Sequence, residues 1–164
     1  MRYRRAWVPG GTYFFTLALH NRSQTLLTDH IDLLRNVMHQ VRERHPFETL
    51  AAVVLPDHLH CVWQLPDGDY DFATRWALIK AAFSRQLPRA EPISLSRNLK
   101  RERGIWQRRY WEHCIREQED LERHIDYIHF NPVKHGHADR ASEWPYSSIH
   151  RYIRQGLIAE DWAG

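Results

Sequence analysis

Two histidines one residue apart, His58 and His60, open an apolar run, His58-Leu59-His60-Cys61-Val62-Trp63. On a β-strand successive side chains alternate faces, so both imidazoles point one way and Leu59 points the other, into a core. Two imidazoles so placed are half of a divalent-metal site and need one or two more oxygen or nitrogen ligands from elsewhere. A second stretch offers them. Over 117–131, Leu121, Ile125 and Ile128 recur at helical spacing as a packing stripe. Asp120, His124, Tyr127 and Asn131 follow a separate polar ribbon, about 60° wide at ~100° per residue. The plain structural reading of Tyr127 is a ring at the stripe's edge with a wet hydroxyl. The chemical reading is a nucleophile towards phosphorus. A phenol with an ordinary pKa near 10 needs help, and a divalent cation that polarises the phosphate supplies it. Asn131, one turn beyond, offers an amide oxygen. Two imidazoles and one amide oxygen suit Mg²⁺ or Mn²⁺ acting on phosphates, and lack the thiolates or third histidine of a closed zinc site.

The positioning elements follow from periodicity and turn signals. Residues 11–19, β-branched and aromatic, read as a first strand central to a sheet. Residues 28–44 read as a helix with Thr28 as N-cap and Ile31, Leu34, Val37, Met38 and Val41 buried. Residues 47–55 and 58–65 form a hairpin across Pro56-Asp57, with Asp57 serving the turn. A second helix spans 71–87, with Phe72, Trp76, Ile79 and Phe83 inward and Arg75, Lys80 and Arg85 outward. Residues 88–104 read as a loop carrying Arg97, Lys100, Arg101 and Arg103. Part of 105–115 is a last strand, and the helix over 117–131 stops at Pro132. A short helix follows 144–148 and ends at Gly156. The expected fold is α+β, a single domain over 1–164: a ferredoxin-like βαββαβ sandwich, an antiparallel sheet with helices on one face, plus C-terminal helices and a tail. If the third helix lies beside the His58 strand with its ribbon facing outward, the phenol comes within about 4–8 Å of the metal.

The chain has 164 residues, 43% hydrophobic and 26% charged, which bounds it as one globular domain. It has no apolar run long enough to span a membrane and no apolar segment behind its basic N-terminal residues. Cys61 and Cys114 read as reduced core thiols of a cytoplasmic protein. Net charge is +3 and the isoelectric point about 9.0, with arginines in knots among aromatics. Arginine beside exposed aromatics suits phosphates and unstacked bases. The candidate DNA contacts are Arg4, Arg5, Lys80, Arg108, Arg109, His124 and Lys134. A solvated charged surface is the bland alternative.

Four ordered blocks resemble a known family. Leu55-Pro56-Asp57-His58-Leu59-His60 is similar to the His-hydrophobe-His motif of single-tyrosine HUH transposases. Three further blocks resemble the REP-associated tyrosine transposases: Trp106-Gln107-Arg108-Arg109-Tyr110-Trp111-Glu112-His113, Tyr127-Ile128-His129-Phe130-Asn131-Pro132-Val133-Lys134-His135-Gly136, and Trp144-Pro145-Tyr146-Ser147-Ser148. So do Tyr3-Arg4-Arg5 and Gly10-Gly11-Thr12-Tyr13-Phe14-Phe15-Thr16. The resemblance implies a metal-dependent enzyme that nicks and joins single-stranded DNA at palindromic hairpins through a 5′-phosphotyrosine. It implies Tyr127 as nucleophile and His58, His60 and Asn131 as ligands of Mg²⁺ or Mn²⁺. It further implies a monomer, with a dimer left open, in the cytoplasm at the nucleoid. Relatives often carry Gln at the Asn131 position, and Asn is shorter. Two rivals stand beside this reading. One is a non-catalytic single-stranded nucleic-acid-binding module on the same fold. The other is a metal-dependent phosphodiesterase that uses water and has no need of Tyr127.

Overall fold

A computed structural model describes residues 5–89, 94–96 and 103–164. Four antiparallel strands form one sheet: β1 (Thr12–Ala18), β2 (Glu48–Val54), β3 (His58–Gln64) and β4 (Trp111–Ile115), in the order β2-β3-β1-β4. This is the strand order of the ferredoxin-like sandwich, with the histidine strand and β1 at the centre. Among the described residues the α-helices are α1 (Leu26–Asp29), α2 (Ile31–Arg44), α3 (Phe72–Arg85), α4 (Gln118–Lys134) and α5 (Ile149–Arg154).

Strand alternation divides the interior into two cores. Tyr13, Phe15 and Leu17 of β1 join Leu59, Cys61 and Trp63 of β3 under α2 and α3. Phe14 and Val62 point the other way and join Ala51, Val53 and Ile128 under α4. Helices therefore cover both faces, where the sequence reading placed them on one. The reason lies in Phe14 and Val62, with Ala51 and Val53 of β2, which put apolar side chains on the second side as well, so the sheet must be covered twice. The Leu121, Ile125 and Ile128 stripe packs as expected, against this second core.

Three local expectations are corrected. The helix expected over 28–44 is interrupted at His30 (φ −118°, ψ 39°), and Thr28 lies inside the preceding short helix. Pro132 does not stop α4, which continues to Lys134, with His135 N–H donating to the Asn131 carbonyl at 3.1 Å. Only one intrahelical bond is forfeited at Pro132, so the turn survives there. Arg75 is buried rather than outward. Its guanidinium donates to both Asp69 oxygens (2.7 and 3.1 Å) and to the carbonyls of His45, Pro46 and Asp71. A guanidinium with its fork filled can be buried without an orphan charge. The short helix expected after residues 144–148 is present as α5, and residues 144–148 themselves seal the β2 edge. Val54 N–H donates to the Tyr146 carbonyl and Ser148 N–H to the Ala52 carbonyl, both at 2.8 Å. That occupies an edge otherwise free to pair with another chain.

The seal reaches α4 through His129, which is fully buried with Nε2 2.8 Å from Ser148 Oγ. Burial, helped by the nearby Arg151 and His150, depresses its pKa from 6.5 to about 4. Between these values the unfolded chain binds the extra proton, so this histidine's contribution is full above pH 6.5 and declines as pH falls towards 4. We expect it to make the protein about 2 kcal/mol less stable at pH 5 than at pH 7. Urea unfolding of wild type and His129→Gln at both pH values checks this. An equal pH dependence in the two proteins would refute it.

Candidate active site

His58 and His60 are both 4% exposed and share the Phe14/Val62 face, with ring centroids 5.0 Å apart and planes nearly perpendicular. Each ring is held by its Nδ1. Asp57 Oδ1 lies 2.8 Å from His58 Nδ1, and a carboxylate only accepts, so the proton sits there and the Nε2 lone pair is released. Arg22 Nε donates to Asp57 Oδ2 at 2.6 Å and fixes the carboxylate. Thr16, opposite His60 in the β1–β3 register, places Oγ1 2.7 Å from His60 Nδ1. These contacts orient both Nε2 atoms, the arrangement usual behind metal-binding histidines.

The electrostatics keep both rings neutral. Burial lowers the His58 pKa, partly offset by Asp57. Burial, and then the charges at His58, His135 and Lys134, drives His60 down to about 3. Asp57 is itself held below the usual carboxylate range; burial acts against this, but the hydrogen bonds from Arg22 and His58 outweigh it. At neutral pH both histidines offer lone pairs.

Helix α4 crosses over this face. The Tyr127 ring lies 5.3 Å from that of His60 and 6.0 Å from that of Phe14, and the residue is 37% exposed. Phe14 stacks on His60 at 5.6 Å, so one apolar ring braces both. Asn131 is fully buried, its amide against the His58 ring but short of full hydrogen-bond geometry. The polar ribbon therefore does not face outward as expected. A helix laid on a sheet buries an arc wider than its apolar stripe, and the Asn131 end of the ribbon falls within that arc. His60 Nε2 and both amide atoms of Asn131 are buried without a hydrogen-bond partner among the described residues. Two imidazoles and an amide oxygen, all neutral, are a donor set that fits a hard or borderline divalent cation.

Other expected residues divide. Lys134 is exposed, with its ammonium 4.8 Å from the Tyr127 ring centroid. His124 packs 4.7 Å from Phe14. Arg108 and Arg109 are exposed in the turn before β4, and Arg108 donates to Ser96 Oγ at 2.9 Å. Arg5 and Lys80 are not at the histidine pair. They belong to the other face, around Tyr110: Arg5 donates to the Tyr110 hydroxyl and pairs with Glu112, and Lys80 donates to the Gln107 carbonyl at 3.0 Å. Arg4 lies outside the described residues. Sequence reasoning missed Thr16 and Arg22 and gave Asp57 only the turn. Asp57 was visible beside His58, whereas Thr16 depends on a strand register that no local pattern reveals. It also missed a cavity of about 270 Å³ beside His58, lined by Arg22, Asp57, His135 and His137.

A family profile described as "Transposase IS200 like" matches residues 8–131. The chain is 46% identical over 162 residues to the REP-associated tyrosine transposase of Escherichia coli K12, covering 99% of this chain and 90% of that protein. It is 48% identical over 163 residues to a Haemophilus influenzae protein provisionally given the same name, covering 99% and 93%. A solved structure of a REP-associated tyrosine transposase bound to a REP hairpin superposes with a TM-score of 0.86 at 44% identity, covering 100% of this chain and 92% of that one.

The Asp57–His58 contact gives a test. Asp57→Asn keeps the shape but loses the carboxylate that orients the ring and raises its basicity. Mn²⁺ affinity should fall about 10–100-fold with an unchanged melting temperature. Calorimetric titration of DNA-free protein measures it, and a change under twofold would remove Asp57 from this role.

Proposed function

This chain belongs to the IS200-like transposase family, and on that premise we propose that it nicks and rejoins single-stranded DNA beside REP-type hairpins through a 5′-phosphotyrosine. The reading rests on one observation: Tyr127, His58, His60 and Asn131 converge from a helix and a central strand on one face of the sheet. That a relative of known structure holds a REP hairpin supports the same class of partner here.

In this reading the Tyr127 hydroxyl attacks phosphorus and loses its proton to solvent. The Tyr127 Oη–P bond forms, the P–O3′ bond breaks, and the 3′-oxygen leaves with the electron pair and takes a proton from water. One phosphodiester replaces another, so a second 3′-hydroxyl can reverse the step on a new strand without an energy source. His58, His60 and Asn131 would hold Mg²⁺ or Mn²⁺, which supplies charge neutralisation at the scissile phosphate. Lys134 brings a further cation to the tyrosine. The 37% exposure of Tyr127 leaves it open to a strand laid across the site. Lys134, His124, Arg108 and Arg109 are the DNA contacts favoured by their positions; Arg5 and Lys80 would act on DNA only away from the histidine pair. The non-catalytic rival has no use for a phenol beside two braced imidazoles, and the water-using rival leaves Tyr127 idle.

Two measurements test this. Tyr127→Phe removes one oxygen and should retain fold and hairpin affinity while losing both nick and covalent adduct on a denaturing gel. Near-normal nicking by the folded variant would sink the tyrosine mechanism. His58→Ala with His60→Ala should likewise bind but not cleave. Separately, hairpin affinity should fall steeply between 50 and 200 mM salt, by roughly tenfold or more if a few phosphates are neutralised. Salt-independent binding, or a preference for plain duplex, would contradict the assigned partner.

A further inference from the structure

We propose that His113, Asp120 and His124 form a second metal site, separate from the His58/His60 pair, for a divalent ion of the zinc class. The three residues come from two elements. His113 is on β4, opposite Phe14 in the β1–β4 register, and so faces α4. Asp120 and His124 are one turn apart at the start of α4, the i,i+4 spacing that puts two ligands on one side of a helix. His113 Nε2 stands 2.6 Å from Asp120 Oδ2, and His124 Nδ1 stands 3.2 Å from Asp120 Oδ1 and 2.8 Å from the Asp120 carbonyl. To ligate, His124 must give up that carbonyl bond or turn its other ring nitrogen inward. One ligand atom from each of the three residues lies within 4.8 Å of the others. Around an ion with bonds of about 2.0–2.2 Å, tetrahedral ligand atoms stand roughly 3.3–3.6 Å apart. The His113–Asp120 contact must open by under about 1 Å and a pair at the outer limit close by somewhat more, shifts within reach of side chains that are only partly buried.

The chemistry favours a borderline ion over Mg²⁺. Two imidazole nitrogens and one carboxylate make a three-ligand N₂O set, with a fourth position for water or a phosphate oxygen. The set differs from the His58/His60/Asn131 group in carrying a formal negative charge. Arg123 Nη2, 3.3 Å from Asp120 Oδ1, is mostly exposed and free to swing aside. Binding requires neutral rings, so the His113 proton facing Asp120 moves to the other ring nitrogen or leaves to solvent. The ion would pin the first turns of α4 to β4. His124 precedes Tyr127 by three residues, and both rest on Phe14, at 4.7 and 6.0 Å. The pin would therefore set the pitch of the helix that presents the phenol.

The test uses full-length, DNA-free protein with Zn²⁺ alone, and Co²⁺ as the spectroscopic probe. It does not depend on nicking, so it fails or succeeds independently of the proposed reaction. The His58→Ala/His60→Ala protein should still bind one equivalent of Zn²⁺ by calorimetry, show the intense visible bands of four-coordinate Co²⁺, and melt several degrees higher with excess Zn²⁺. Adding His113→Ala and His124→Ala should abolish all three responses. Asp120→Asn, which keeps the shape, should weaken Zn²⁺ binding at least tenfold, a control should the alanine variants fold poorly. No Zn²⁺ binding by the His58→Ala/His60→Ala protein, or binding that survives loss of His113 and His124, would overturn the site.

Discussion

The packing of α4 across the Phe14 face is the constraint on which the site depends. Ile128 is fully buried against Phe14, Ala51, Val53 and Val62. Its neighbour Tyr127 then has no freedom to choose a direction, and Asn131, one turn on, is carried under the helix beside His58. A buried isoleucine replaced by alanine typically costs 2–5 kcal/mol, so the apolar contact that fixes the helix is far stronger than any single polar contact in the site. A misplacement of about 1 Å of a reacting group can cost 10²-fold in rate. Stability and chemistry are thus set by the same three side chains, Leu121, Ile125 and Ile128, none of which touches substrate in the proposed reaction.

Buried polar groups are not satisfied alike in this molecule. Arg75 is buried and its guanidinium is satisfied by one carboxylate and three carbonyls. That saturation marks a structural clamp between α3 and the α2–β2 connection. His60 and Asn131 are treated differently. Their outer atoms are buried without partners among the described residues, and each such atom costs about 1–3 kcal/mol. His129 Nδ1 and the indole nitrogens of Trp63, Trp76 and Trp106 lack a partner among those residues as well; what distinguishes His60 and Asn131 is their place beside His58 and Tyr127, the group proposed above as a ligand site. Thr16, Asp57 and Arg22, which spend their bonds on the far sides of the two rings, complete it.

Much of this was legible in the sequence, for definite reasons. The shared face of His58 and His60 follows from strand alternation, and the α4 stripe follows from helical spacing; both are local. The strand order followed from the succession of elements. What escaped reading was pairwise and distant: the register that sets Thr16 against His60, the carbonyls that receive Lys80, the carboxylate that receives Arg75, and the sheet face that receives α4. The last could have been inferred. Phe14 and Val62 sit on the opposite side of their strands from Phe15 and Cys61, and such residues demand a second cover. Pro132 misled because proline normally marks a boundary, whereas here the helix bears one lost bond and runs on.

The strand register also bears on the proposed substrate. His60 pairs with Thr16 on one side, and Thr16 pairs with Trp111 on the other. Directly opposed residues share a face, so Trp111 stands on the same side of the sheet as His60. Two strand spacings separate them, about 10 Å. Trp111 is 55% exposed, unlike Trp63 and Trp76, which fill the opposite core. Arg108 and Arg109 precede it on the same edge. A single strand with its phosphate at the histidine pair has bases that need flat partners and neighbouring phosphates that need cations. The β4 edge supplies both within the reach of one or two nucleotides, whereas the β2 edge is closed by residues 144–148. The same α4 packing that places Tyr127 over His60 thus leaves the phenol between a sealed edge and an aromatic, basic one. In the proposed reaction, the β4 side is then the approach left to a strand of DNA.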